Sequence, residues 1–250
     1  MKLDYSEENL RAWFQLIGEV SDSILVYTEH YSGICSPAFF WPNTVFHLSM
    51  GQGNYSSMVS SLINEMEAGK LPYIVRAVPN QPAELLAVLE KKCVRSGGWT
   101  ALSINLNSTL DLPVTEAEIK AITTASDIDI WTTIVDDGLM NSQGLNHNIF
   151  KELVKDESCT FFTASVGGIP VATALSFRLK ETIGIYLIAT KQNYRRRGIG
   201  KAITIYALND AINKGCTVGH IQATKLGKSV YKSVGFQEKG EIRGFIMLEK

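Results

Sequence analysis

The chain has 250 residues, room for one large domain or two small ones, and 45% of them are apolar, enough for a sizeable core. Its 24 Lys and Arg against 25 Asp and Glu leave a net charge of -1, which argues against nucleic acid or an anionic membrane as the main partner. No apolar run reaches the roughly 18 residues of a spanning helix, and Met1-Lys2-Leu3-Asp4 opens a charged helical segment, not a signal peptide, so the cytoplasm is the default location.

Asp4 and Glu7 start a helix whose apolar face is Leu10, Trp13, Phe14 and Ile17, with Gly18 as its stop. Residues 23–28 read as a strand, and residues 33–43, rich in aromatics and proline, as an irregular loop or hairpin. Within that loop, Phe39-Phe40-Trp41-Pro42-Asn43 reads either as a core plug between the halves or as the lining of a substrate cleft. A second amphipathic helix is expected over 56–68, capped by Gly69, then a strand over 73–78, a helix over 82–94 and a strand over 99–106. This half carries no phosphate loop. Residues 107–115, with Asp111 and Pro113, are the linker candidate, giving an α/β subdomain at 1–113 and a second domain at 114–250.

In the second half, Ser126 with Asp129 reads as a near-capping box, and Ile130, Trp131, Ile134 and Val135 as an apolar stripe at helical spacing. After a break at 138–144 comes a helix over 145–154 with Ile149, Phe150, Leu153 and Val154 inward. Strands over 159–166 and 170–179 are joined by Gly167-Gly168, a hairpin signal, and a turn at 180–182 leads into a strand over 184–190. A helix over 199–214, a strand over 217–223, a short helix and a strand over 243–248 complete the chain. Cys35, Cys93, Cys159 and Cys216 form no C-x-x-C pair and the four histidines lack ligand spacing, so free thiols and no metal are expected. His147 reads as a cap or surface residue.

The most informative stretch begins at the apolar strand Ile183 to Thr190, which runs into the basic turn Arg195-Arg196-Arg197 and then Gly198-Ile199-Gly200 at a helix start. Glycine permits positive φ and close backbone approach. A helix start leaves its first amides unpaired at the positive end of the dipole. Together these suit a pyrophosphate, and the arginines with Lys201 suit further phosphates. A Walker loop is excluded because Ala202 has no hydroxyl, and a dinucleotide fingerprint because position 203 is Ile.

Arg195, Gly198 and Gly200 after a strand resemble the Gln/Arg-x-x-Gly-x-Gly/Ala signature of the GNAT N-acetyltransferases. Ser229 to Phe236, with Tyr231 on a short helix followed by Gly235-Phe236, resembles that family's C-terminal motif. One helix and one strand lie between the two motifs, and the resemblance covers about 121–250. It implies an α/β, GNAT-like acyl-CoA N-acyltransferase fold, a mixed central sheet flanked by helices. A smaller α/β subdomain precedes it, read as a degenerate half of the same kind.

The resemblance also implies site roles. Arg195, Arg196, Arg197, Gly198, Ile199, Gly200 and Lys201 would hold the pyrophosphate of acetyl-CoA, and the backbone of Ile188, Ala189 and Thr190 would bond the pantetheine arm. Tyr231 would be the acid for the departing thiolate. Two departures stand out: Thr224 and Gly227, where many members have Asn and Ala. By the resemblance, Thr224 would keep one polar coenzyme contact but lose the carboxamide geometry.

An amine acceptor must also lose a proton. Tyr186, Glu181, Asp136 and Asp137 are base candidates, with a relay through water equally open. The leading function is acetyl-CoA-dependent N-acetylation of a small-molecule amine by direct attack on the thioester. The alternative is a non-catalytic acetyl-CoA sensor on the same scaffold, and a homodimer is left open.

Overall fold

A computed structural model describes residues 5–36, 38–48 and 54–247; the expected cap Asp4 and the strand residue Leu248 lie outside them. The first half runs α1 (Tyr5–Glu19), β1 (Ile24–Tyr27), β2 (Tyr31–Cys35), β3 (Thr44–Leu48), α2 (Tyr55–Glu67), β4 (Ile74–Ala77), α3 (Ala83–Lys92) and β5 (Val94–Asn105). The second runs β6 (Glu118–Ile122), α4 (Ala125–Leu139), α5 (His147–Leu153), β7 (Cys159–Val166), β8 (Ile169–Leu179) and β9 (Thr182–Thr190). It closes with α6 (Ile199–Asn213), β10 (Val218–Ala223), α7 (Lys228–Val234) and β11 (Gln237–Ile246).

All these strands join one sheet in the order β1-β2-β3-β4-β11-β5-β10-β9-β8-β7-β6. The β3–β4 and β9–β10 pairs are parallel, each joined through a helix, α2 and α6 respectively. The remaining pairs are antiparallel. Each half thus repeats a β-β-β-α-β-α-β order, but the last strands are exchanged. β5 pairs with β10, and β11 pairs with β4; the exchanged strands also pair with each other. The sheet therefore runs unbroken across the irregular stretch at 106–117.

Three cores hold the helices to this sheet. Leu10, Trp13, Phe14 and Ile17 of α1 join Trp131, Ile134, Phe150 and Leu153 of α4 and α5 in one cluster that spans both halves. Ile199, Ile203, Ala207 and Leu208 of α6 pack with Tyr231 in a second, and Val59, Leu62, Leu85 and Leu89 of α2 and α3 in a third. Trp131 is fully buried yet pays no polar penalty, because its indole N–H donates to the Phe162 carbonyl at 3.1 Å. Among the described residues no helix is long and apolar enough to cross a membrane.

Several local expectations change. Gly33 to Cys35 belong to β2, paired on both sides, with a register shift at Ser32/Gly33. Tyr31 to Ile34 are all buried, so no alternation marks this strand in the sequence. Helix α4 starts two residues earlier than the Ser126 reading. Thr124, in extended backbone, accepts from the Asp127 N–H at 3.2 Å. Ile130 faces outward at 48% exposure, and Ile128 takes its place inside. Gly138 lies within α4, because its missing side chain lets the helix sit on Ala189 of β9.

Candidate active site

Strands β9 and β10 pair only from Thr182 to Ile185 and from Val218 to Ile221, then separate. Leu187, at φ 51°, sits in a bulge between the β8 pairs Thr173–Ala189 and Leu175–Tyr186, and its carbonyl accepts from the Thr173 hydroxyl at 3.1 Å. Residues 186–190 thus have no strand partner on the β10 side. This opens a wedge with main-chain donors and acceptors along it.

At the C-terminal end of β9 the chain makes one 3-10 turn, Gln192–Tyr194, before the basic loop. Gly198 has φ 76°, a left-handed conformation that costs glycine little, and it is the residue from which α6 starts. Ala202 N–H returns to the Gly198 carbonyl at 3.0 Å, so the earlier helical amides of Ile199, Gly200 and Lys201 have no helical carbonyl to meet. A Cβ on Gly200 would meet only the Thr190 hydroxyl, at 3.7 Å, leaving the cradle open.

The basic side chains here divide three ways. Arg195 folds back, its Nε donating to the Thr190 carbonyl at 2.9 Å and an Nη to Gly138 at 3.4 Å. Arg197 pairs with Glu116 and lies 4.9 Å over the Tyr194 ring. Arg196, exposed at φ 62°, has no ion-pair partner among the described residues. Ile199 is buried under α6, so only its backbone is available to a ligand.

The wedge opens into a cavity of about 320 Å³, within the usual range of small-molecule sites. Ile185 to Ile188 of β9 form one wall, and Ile221, Gln222 and Thr224 at the end of β10 the other. At the far end the lining comes from Leu10, Trp13 and Phe14, with Phe40 and Trp41, and from Leu139 and Met140 of the second half. Trp41 also stacks on Phe150, centroids 5.6 Å apart, so the aromatic segment both plugs the core and lines the cavity. Arg76 of β4 and Trp99 of β5 complete this end. The sequence pattern gave no signal for Arg76, a lone cation in a four-residue strand.

Tyr231 lies beside this cavity, not on its lining. Its ring packs back over Gly227, where a Cβ would come within 2.9 Å of the ring and 3.4 Å of the hydroxyl oxygen. That places the hydroxyl at the 224–227 turn, which Thr224 holds by accepting from the Gly227 N–H at 3.3 Å. The glycine that departs from the common pattern is therefore what admits the tyrosine ring. Burial pushes the Tyr231 phenol up to about 12, so it stays protonated at neutral pH.

The base candidates fare differently. The Tyr186 hydroxyl is committed to the core: it donates to Asn9 Oδ1 at 2.7 Å, and burial raises its pKa well above 10. Glu181 sits at the opposite end of β9 from the loop. Asp136 accepts from Gly144 N–H at 3.3 Å and Asp137 from the Ser142 hydroxyl at 2.8 Å, so both tie down the chain after α4. Cys35, Cys93, Cys159 and Cys216 are free thiols, and His147 Nδ1 lies 3.0 Å from the Thr132 hydroxyl at the start of α5.

With this geometry in view, the comparisons with known proteins are specific. Residues 136–233 match the family model of the acetyltransferase (GNAT) domain. A GCN5-related N-acetyltransferase from Kribbella flavida superposes with a TM-score of 0.77 at 15% identity, covering 100% of this chain and 98% of that one. One from Sphaerobacter thermophilus gives 0.62 at 13% identity, covering 96% and 84%. The glucosamine N-acetyltransferase region of a fungal multi-domain GH3 β-N-acetylglucosaminidase gives 0.61 at 12% identity, covering 89% of this chain and 30% of that one. At such identities the likeness is one of fold, and it extends through the first half. No curated protein matches the chain. The domain and fold together support acyl transfer as its general chemistry.

Proposed function

We propose that this chain is an acetyl-CoA-dependent N-acetyltransferase whose acceptor is a small-molecule amine. The observation that carries the reading is the junction at β9. One strand leads to an open amide cradle at the start of α6, borders the wedge where it parts from β10, and forms a wall of the cavity.

In this reading the amides of residues 196–201, with Arg196 and Lys201, hold the pyrophosphate. Arg195 and Arg197 shape the loop through Thr190, Gly138 and Glu116. The main chain of Ile188, Ala189 and Thr190 bonds the pantetheine arm like an added strand, and Thr224 faces it from just beyond β10. The neutral amine attacks the thioester carbonyl, forming a C–N bond as the C–S bond breaks. Tyr231 gives its proton to the leaving thiolate, and the proton shed by the nitrogen returns to the phenolate through water. With Tyr186 bound to Asn9, water is also the route for the first deprotonation of the acceptor. Residues 1–113 act as the subdomain that closes the acceptor end, and 114–250 as the coenzyme-binding domain.

The test mixes the protein with acetyl-CoA and a panel of amines while free thiol is followed. Thiol release dependent on an amine supports the enzyme; coenzyme binding without release across the panel leaves a sensor.

A further inference from the structure

The acceptor end of the cavity is apolar apart from one charge. Leu10, Trp13, Phe14, Phe40 and Trp41 face Arg76, the single charged side chain among the described residues that line it. Arg76 is half-buried, its guanidinium carbon 4.4 Å from the Trp99 ring centroid. No carboxylate or carbonyl among the described residues accepts from it, although a guanidinium carries five donors. Its neighbours Arg95 and Arg243 are by contrast paired with Glu90 and Glu241.

Room for this group is built into the sheet. Gly244 of β11 pairs directly with Arg76, and a Cβ there would collide with the guanidinium and with the Ser96 carbonyl. A glycine thus clears the space that the cation fills, and the Trp99 ring lies against it. Holding a desolvated charge without a partner costs stability, and burial already lowers the Arg76 pKa. That cost is recovered when an anion enters, and a planar guanidinium matches a carboxylate in bidentate geometry.

Resting on the N-acetyltransferase reading above, we propose that Arg76 anchors a carboxylate of the acceptor, and that the acceptor is an amino acid with an apolar side chain. The aromatic wall takes the side chain, Arg76 takes the carboxylate, and the amine is left to face the wedge. The transfer balances as written above: acetyl moves from sulfur to nitrogen, and coenzyme A leaves as the free thiol.

Matched pairs test this: L-leucine against 3-methylbutylamine, and L-phenylalanine against 2-phenylethylamine, each with acetyl-CoA. The wild type should favour the acid by roughly 10- to 100-fold in kcat/KM, the scale of a charge-assisted hydrogen bond. In Arg76→Gln that ratio should fall to near one, with Arg76→Lys between, and melting curves for each variant report the fold. Equal use of acid and amine by the wild type, with thiol release intact, overturns the Arg76 assignment and leaves acetyl transfer standing. A preference unchanged in a folded Arg76→Gln also overturns it. Calorimetry of L-leucine and L-phenylalanine with the coenzyme A-loaded protein gives a readout without chemistry. Binding lost in Arg76→Gln supports the anchor even if no thiol is released, and no binding to the wild type counts against it.

Discussion

The hydroxyl of Tyr186 donates to Oδ1 of Asn9 at 2.7 Å, joining β9 to α1 across 177 residues of sequence. The Asn9 amide donates in turn to the Thr182 hydroxyl at 3.2 Å and the Phe177 carbonyl at 3.4 Å, and Trp13 stacks on the Tyr186 ring at 4.9 Å. Asn9 is fully buried, so its oxygen has no water to replace the phenol. Tyr186→Phe should therefore cost about 1–3 kcal/mol, seen as a lower denaturant midpoint. The shape of the pH–rate profile should be unchanged; loss of its acidic limb would make Tyr186 the base after all.

Gly200→Glu should abolish acetyl-CoA binding in calorimetry while the thermal midpoint barely moves. The open space around its Cβ spares the fold, whereas a carboxylate in the cradle repels the pyrophosphate. Normal binding by this variant would move the phosphate site elsewhere.

Tyr231→Phe should lower kcat by roughly 10²-fold with coenzyme affinity nearly intact. Because burial holds the phenol at about 12, the wild-type kcat should show no alkaline fall arising from this group below pH 10. The stability sign follows from the same shift. Below pH 10 the phenol is protonated in both states, and between 10 and about 12 the unfolded chain ionises first, so stability declines as pH rises through that window. The alkaline decline should be shallower in Tyr231→Phe, as urea titrations at pH 9 and 11 would register.

Much of the second half is legible in the sequence because its signals are local. The β9 run encodes a strand, and Gly167-Gly168 and Gly198-x-Gly200 encode a turn and a helix start, each within a few residues. What stays hidden depends on partners far along the chain. Tyr31 to Ile34 lack alternation because both faces of β2 are covered, and the bulge at Leu187 is a non-glycine residue in a glycine-type conformation. Arg76 carries no motif at all; its position matters only because Gly244 and Trp99 arrive beside it.

Residues 114–250 made alone should aggregate. Without β5, strand β10 loses its antiparallel partner and β11 loses the neighbour it pairs with over most of its length. The α4 and α5 side chains that share a core with α1 are bared as well. Gel filtration of the fragment decides this, and a monomeric fragment with wild-type turnover would make the first half an appendage.

The exchange of β5 and β11 sets an order on synthesis. β5 leaves the ribosome complete at Asn105, while its two partners begin at Val218 and Gln237. For that interval a twelve-residue strand waits with both edges open, so closure of either half is deferred until β10 and β11 have emerged. Such non-local pairing makes for slow folding and a long window for misassociation, the condition under which chaperone demand rises.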